Sequence, residues 1–276
     1  MKLLNLVKIF DGIFQKELAW ENDSTGFQAG WLDRDIDTIL ITLDITDSAV
    51  EEAITAGAGL LFSHHPLIFD PIKGITSDDP VGFKLLRLIE NHISVYVAHT
   101  NYDAMDGGLN DLLFNNIGLK NPEVIEALPA GNCGFGRLGS IEPPERLEDV
   151  LALLKDRIGL KNLLWMASPG KGLDHDTIRK RKISKIAVIN GSANSMAEKL
   201  ASASLDCDLV VAGEIKYSNA IKIAQSGKII VLAGHAETEK LAIDGIYDRM
   251  KKNKILANIK IIKSKTGYFP WRYYIE

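Results

Sequence analysis

The sequence predicts an α/β protein of two related lobes with mostly parallel sheets and a small α+β insert between them. Short apolar runs typical of strands alternate with amphipathic helical stretches, and this alternation occurs twice along the 276 residues. Apolar strands separated by helices imply parallel sheets that are covered on both faces. Polar residues stand just past the strand ends in both repeats. We therefore predict lobes over residues 1–130 and 183–276, with the insert over residues 131–182.

The first lobe begins with an amphipathic helix, because its apolar residues recur at helical spacing. They are Leu3, Leu6, Val7, Phe10, Ile13 and Phe14. Lysines and Asp11 interrupt this stretch, so we do not expect a signal peptide. The stretch from Gly26 to Gly30 is predicted as a tight turn. Strands are predicted at 38–45, 59–62 and 93–98, and helices at 47–57, 80–91 and 105–117. Asp47 or Ser48 is expected to cap the helix at 47–57.

The insert and the second lobe follow. In the insert we predict strands at 133–142 and 162–168 around a charged amphipathic helix at 145–158. The second lobe has predicted strands at 185–190, 208–212 and 228–233 and helices at 194–203, 218–226 and 236–251. Four consecutive cations, from Arg179 to Lys182, are interpreted as a solvated turn, with an anion site as the alternative. His175, in the same loop, is given no function.

Composition narrows the class of protein. The 32 basic and 36 acidic residues give a net charge of −4, without the electrostatic footprint of a general nucleic-acid binder. The net charge does not exclude a local basic patch. No apolar window approaches the roughly 18 residues of a membrane span. Cys133 and Cys207 lie far apart, which favours two reduced thiols in a cytoplasmic protein.

Three polar segments at predicted strand ends carry the candidate chemistry. The first is Ser63-His64-His65-Pro66. Adjacent residues of an extended chain point to opposite sides, so His64 and His65 could serve two different metal ions. The alternative is a pair of loop histidines that cap hydrogen bonds. Asp44, within the predicted strand at 38–45, is expected either at a strand end or as a helix cap.

The other two segments are His99–Asp103 and His235–Glu239. The first brings an imidazole and a carboxylate to a sheet edge. In the second, a helix that starts near His235 places His235 and Glu239 on one face, at the spacing that zinc proteases use for paired ligands. Glu237 would point elsewhere. Glu214, at the end of another strand, is expected to contact either substrate or a ligating histidine.

Together the three segments favour a metal site over structural histidines. Ligands in parallel sheets bind beyond the carboxyl ends of the strands, where four of the six histidines are expected. Nitrogen and oxygen donors without thiolate suit Zn, Mn, Fe, Co or Ni. A bridging carboxylate flanked by ligands for each ion suits two metals, which would lower the pKa of a shared water. We predict His65 with Asp103 on one ion, His64 with His235 on the other, and Glu239 as the bridge.

The sequence resembles the GTP cyclohydrolase 1 type 2 homologs, also called Ngg-interacting-factor-like dinuclear metal proteins. The resemblance rests on GFQAG, LDIT, SHHP, HTNYD, VVAGE and GHAETE, spread along nearly the whole chain. It implies two divalent metal ions per chain, held by His64, His65, Asp103, His235 and Glu239, with His99 as a lesser ligand or pocket residue. It also implies a homohexamer, a trimer of dimers with metal sites facing an internal cavity.

The expected activity is metal-dependent hydrolysis of a small, nucleotide-like metabolite. His99 is the predicted catalytic residue, because an imidazole transfers protons well near pH 7. Ser63 lacks the surroundings of a nucleophile elbow, so acyl-enzyme chemistry is not expected. Two alternatives stay open. One is a metal-stabilised hexameric scaffold or regulator that binds a protein or nucleic acid, and the other is a dinuclear phosphoesterase or amidohydrolase.

Overall fold

The structure is a computed structural model that describes residues 1–168 and 174–266, in which the chain divides into two compact units. The first unit comprises Met1–Met105 together with the chain from Ala242, and the second comprises Asp106–Leu241. The chain thus leaves the first unit, builds the second and then returns. These divisions lie at other places than the boundaries at 130 and 182 that the sequence predicts.

Eleven α-helices and eleven strands lie within the described residues. The helices are α1 (Leu3–Ile13), α2 (Asp47–Thr55), α3 (Pro80–Glu90), α4 (Thr100–Ala104), α5 (Leu109–Ile117), α6 (Leu147–Ile158), α7 (His175–Arg179), α8 (Ala197–Ala201), α9 (Tyr217–Gln225), α10 (His235–Glu239) and α11 (Leu241–Lys252). The strands are β1 (Gly26–Ala29), β2 (Thr38–Thr42), β3 (Leu60–Ser63), β4 (Ser94–Val97), β5 (Lys120–Ala127), β6 (Gly134–Arg146), β7 (Leu164–Met166), β8 (Lys182–Ser192), β9 (Leu209–Glu214), β10 (Ile229–Leu232) and β11 (Lys260–Lys263).

The first unit contains a five-stranded sheet in the order β1-β4-β3-β2-β11. Strands β11, β2, β3 and β4 are parallel, and only the edge strand β1 is antiparallel to its neighbour. All residues of β2, β3 and β4 are buried, as expected for parallel strands covered on both faces. Leu40, Leu61 and Val95 pack with residues of α2 and α3 in one apolar core.

The second unit contains a six-stranded sheet in the order β5-β6-β8-β9-β10-β7. Strands β8, β9 and β10 are parallel and form its middle, whereas β5, β6 and β7 pair antiparallel. Its core joins the inner faces of α5 and α6 to the parallel strands. The predicted α/β class with two sheets is therefore confirmed. The stretch predicted as an insert contributes β6 and β7 to this second sheet and α6 to its core.

Several predicted elements differ in detail. The predicted helix at 105–117 begins later, as α5 at Leu109, because Gly107 adopts φ +64° and Gly108 precedes the helix. The short helix α4 lies before the predicted range. The predicted helix at 236–251 is divided into α10 and α11. The cap of α2 is neither Asp47 nor Ser48 but Thr46, whose hydroxyl accepts from the Ala49 amide at 3.0 Å.

Three strands escaped sequence analysis for different reasons. The stretch predicted as a turn at 26–30 is the strand β1, although Gly26 and Gly30 do take positive φ values. Strand β5 carries Pro122 and is mostly exposed, so it lacks the apolar pattern of a buried strand. Strand β11 has only two apolar residues between lysines.

Candidate metal centre

His64 and His65 follow β3 directly, at the carboxyl end of a central strand. The backbone bends at both residues, so the alternation of an extended chain does not apply and the two ring centroids lie 5.0 Å apart. The Nδ1 atom of His64 lies 2.8 Å from the Ala98 carbonyl oxygen. The Nδ1 atom of His65 lies 2.6 Å from Oδ1 of Asp44. The predicted strand-end position of Asp44 thus places its carboxylate against a histidine.

His99 precedes α4 and lies beside this pair. Its ring centroid is 5.5 Å from that of His64 and 5.7 Å from that of His65. Its Nδ1 atom lies 2.7 Å from Oδ1 of Asp23. Burial by itself would raise the pKa of the Asp23 carboxyl, but the hydrogen bonds and charge of His99 and the bonds from Thr100 outweigh it and lower the pKa. Asp23 is therefore held as a carboxylate that orients His99.

Asp103 lies on α4, and buried polar contacts fix this short helix. Its side chain is 12% exposed, and Oδ1 lies 3.6 Å from Nε2 of His64. Asn101, fully buried, donates to the Phe14 carbonyl at 2.9 Å and accepts from the Thr25 hydroxyl at 2.9 Å. These contacts hold the helix in place, so the carboxylate of Asp103 faces the imidazole of His64.

Three imidazoles of the first unit, those of His64, His65 and His99, share one arrangement: each Nδ1 faces an oxygen acceptor. A carbonyl or carboxylate oxygen can only accept, so in the neutral ring Nδ1 carries the proton and Nε2 keeps its lone pair. Histidines that bind metal ions commonly hold their second nitrogen in this way, because the contact fixes both the tautomer and the ring orientation. The first unit therefore presents oriented nitrogen donors next to a carboxylate.

The second unit places His235 and Glu239 at the two ends of α10, immediately after β10. Nε2 of His235 lies 3.1 Å from Oε2 of Glu239, so the i,i+4 spacing does bring the two side chains together. The Glu239 side chain is only 4% exposed. Its Oε1 atom accepts from the Asn190 amide at 3.3 Å, which ties the carboxylate to β8. Thr238, also buried, accepts from the Gly191 amide at 3.0 Å.

Gly191 leaves the space that Glu239 occupies. A Cβ atom at this position would lie 2.0 Å from Oε1 of Glu239 and 3.2 Å from Nε2 of His235. The φ angle of Gly191 is +55°, which also favours glycine. The close approach of the β8 backbone therefore sets the positions of His235 and Glu239 on α10. No short sequence motif predicts this approach.

Glu214 and Glu237 have different surroundings. Glu214, at the end of β9, places Oε2 at 3.5 Å from Nδ1 of His235, the predicted contact to a candidate ligand. Glu237 folds back on Gly234, where a Cβ atom would lie 2.1 Å from its Oε2 atom. As predicted, the two carboxylates point to different places: Glu239 faces His235, whereas Glu237 folds back on Gly234.

Three of the four consecutive cations from Arg179 to Lys182 contact other groups of the protein. Arg179 lies 3.2 Å from Glu148, and Arg181 donates to the Gly227 carbonyl at 2.9 Å. Lys182 donates to the Pro144 carbonyl at 3.2 Å. These contacts favour the interpretation as a surface turn over an anion site. His175 lies in α7, and its side chain is outside the described part of the structure.

The donor groups fit divalent metal ions. His64, His65 and Glu239 are side chains that could hold a metal ion. The donors are imidazole nitrogens and carboxylate oxygens, the set that suits Zn, Mn, Fe, Co or Ni.

Sequence analysis located the histidines and carboxylates but not all of the residues that hold them in place. Asp23 is 76 residues from His99 along the chain, and no spacing rule links them. Asn101 and Gly191 also act through contacts between distant segments. The strand-end rule identifies donors, because it depends only on local pattern. Their partners depend on tertiary packing.

The fold and these side chains define a class: a two-sheet α/β protein that gathers histidines and carboxylates at strand ends. The sequence model of the family described as Duf34/NIF3 (NGG1p interacting factor 3) matches residues 1–267 of the chain. The chain belongs to this DUF34/NIF3 family. Among the described residues, no helix combines the length and the apolar character needed to cross a bilayer.

Relatives match over nearly the whole length. A GTP cyclohydrolase 1 type 2 homolog of Clostridium perfringens is 29% identical over 277 residues, covering 99% of this chain and 100% of the relative. A protein of the same name from Lactococcus lactis is 30% identical over 269 residues, covering 98% and 99%. The solved Bacillus cereus protein related to NIF3 has a TM-score of 0.86 at 22% identity and covers 99% of both chains, which supports the fold.

Proposed function

We propose that the protein binds two divalent metal ions and uses them to hydrolyse a small, nucleotide-like metabolite. The ions would be held by His64, His65, Asp103, His235 and Glu239. The observation that carries the proposal is the arrangement shared by His64, His65 and His99, each of which has Nδ1 within 2.8 Å of an oxygen acceptor.

The distribution of donors between the ions stays a prediction. Glu239 is the proposed bridging carboxylate, because its buried side chain offers two oxygens. Oε1 faces the Asn190 amide, and Oε2 faces the imidazole of His235. Asp44 and Glu214 would not bind metal themselves but would orient His65 and His235 through their Nδ1 atoms.

His99 is the proposed proton-transfer residue. Two bound divalent ions supply Lewis acidity and lower the pKa of a coordinated water toward neutrality. The protein must then orient the substrate and move protons. Asp23 holds the Nδ1 proton of His99, which leaves Nε2 able to accept a proton. The side chain is 18% exposed, so solvent or a small substrate can reach it.

The substrate class is proposed from the relatives, whose name refers to GTP cyclohydrolase. A dinuclear phosphoesterase or amidohydrolase would use the same donors on another metabolite. We also propose a homohexamer, on the family resemblance, and a cytoplasmic location. Two free cysteines, one of them buried, support a reducing compartment.

The test of the metal proposal is elemental analysis of the purified protein. We expect about two metal ions per chain in the wild type, and a clear loss in both His64→Ala and Glu239→Ala. His92→Asn is the matched control, because His92 is exposed and its φ of +55° suits asparagine. Unchanged metal content in both ligand variants contradicts the assignment.

The test of the activity is a metabolite screen with the native metal form, in which GTP and other nucleotides are included. Hydrolysis that disappears on chelation and returns with metal supports the enzyme. A protein that hydrolyses nothing, and binds its partner equally well when both His64 and His65 are replaced, is a scaffold.

A further inference from the structure

Phe69 presents an aromatic ring to solvent beside His99. It lies on the loop that follows His65, and it is 58% exposed. Its ring centroid is 6.4 Å from that of His99, with the two planes at 87°. Other phenylalanines of the first unit, such as Phe10, Phe14 and Phe62, are fully buried in its core. Phe69 therefore contributes little to the core.

The backbone under Phe69 is held by side chains from the region of β1. Oε1 of Gln28 accepts from the Leu67 amide at 3.0 Å and the Ile68 amide at 3.1 Å. Nε2 of Gln28 donates to the Ile68 carbonyl at 2.8 Å and the Ser24 carbonyl at 3.2 Å. The Ser24 hydroxyl donates to the Phe69 carbonyl at 2.6 Å.

An isolated exposed apolar residue is common on protein surfaces and by itself requires no explanation. Phe69 differs because its position does not depend on the packing of its own ring. Its loop is fixed by hydrogen bonds to backbone groups, and this fixes the ring next to an imidazole that Asp23 orients. A rigid, exposed aromatic face stacks on planar π systems, and this contact tolerates any base.

We propose that Phe69 is the stacking platform for a planar heteroaromatic ring of the substrate, of the nucleobase type. The inference rests on the proposed function and narrows its substrate class to molecules that carry such a ring. A ring stacked on Phe69 lies beside His99, the proton-transfer residue. Phe69 then determines specificity, and Gln28 and Ser24 set its position.

The test measures the binding of two probes to the metal-loaded protein by calorimetry. Guanosine 5′-monophosphate carries a base, and ribose 5-phosphate is the matched probe without one. We expect Phe69→Ala to weaken the nucleotide by about 5- to 100-fold, the weight of one stacked base, and to leave ribose 5-phosphate unchanged. Phe69→Trp should keep the affinity for the nucleotide. Phe83→Ala is the control, because Phe83 is also exposed but lies on α3.

The outcomes separate the platform from the metal centre. Equal weakening of both probes by Phe69→Ala, or none of either, overturns the platform while metal content stays at two per chain. A changed assembly mass in Phe69→Ala, measured by light scattering, makes the ring a contact between copies and also overturns it. A wild-type protein that holds no metal contradicts the proposed function, and the platform is rejected with it.

Discussion

A histidine ligand is most effective when its ring cannot rotate, and three imidazoles of the first unit are held in different ways. His64 uses a backbone carbonyl, whereas His65 and His99 use carboxylates. Carbonyl and carboxylate oxygens can only accept, so all three contacts keep the proton of the neutral ring on Nδ1. Of the three, His99 is the one proposed for proton transfer rather than for metal binding.

His99→Ala tests this division of roles at the residue scale. We expect the variant to keep at least one metal ion and to lower turnover by about 10²- to 10⁴-fold, the usual weight of general acid–base catalysis. The measurements are elemental analysis and the turnover of a substrate found in the metabolite screen.

His92→Asn provides the control for histidine replacement and should change neither quantity. An empty site in His99→Ala would make His99 a ligand and remove its proposed proton role. Turnover by the metal-free wild type at the native rate would instead contradict the hydrolase itself.

At the same scale, the sequence predicts the donors better than the groups that orient them. His64, His65 and His235 follow strands, and strand ends are visible in the local apolar pattern. Asp44 was visible for the same reason. Asp23 and Asn101 depend on contacts with segments far along the chain, and no local pattern contains that information.

At the scale of elements, the approach of β8 to α10 makes Gly191→Ala an informative variant. A Cβ atom 2.0 Å from Glu239 must displace the carboxylate or the strand. We expect a loss of about 1–3 kcal/mol in the free energy of unfolding, as for overpacked cores, together with reduced metal content. Chemical denaturation and elemental analysis measure the two effects.

Gly57→Ala is the matched control. Gly57 has φ +65° but no heavy atom within 4 Å of an added Cβ, so this variant carries the backbone strain without the clash. It should cost about 1 kcal/mol and leave metal content unchanged. Equal metal content in both variants would show that Gly191 does not shape the pair on α10.

Elements were predictable where burial is two-sided. Strands β2, β3 and β4 appear in the sequence as apolar runs, and so do β9 and β10. Strand β5 is mostly exposed, and β11 is short, so the sheet rather than the sequence defines them. The glycines at 107 and 108 delay the start of α5 to Leu109, whereas periodicity alone predicts a helix from residue 105.

At the scale of the whole molecule, the proposed assembly is a homohexamer. Leu164 and Tyr217 are large side chains of the second unit that are 70% and 73% exposed. Light scattering at micromolar concentration should give about six times the chain mass of 30.4 kDa. A clean monomer under these conditions contradicts the hexamer.

The two-sheet α/β class was predictable at this scale, but the return of the chain to the first unit was not. The sequence places a boundary wherever composition changes, and the Gly-rich stretch near residue 133 is such a change. Membership of the second sheet is decided instead by pairing, which joins β6 to β8.

The discontinuous first unit has a consequence for synthesis on the ribosome. Strand β11 pairs with β2, yet more than two hundred residues of chain separate them. While the chain is emerging, the fully buried strand β2 has an open edge until residues 260–263 have left the exit tunnel. The second unit, Asp106–Leu241, is one uninterrupted stretch and is complete earlier. We therefore expect the second unit to be completed before the first, although the first begins earlier in the chain.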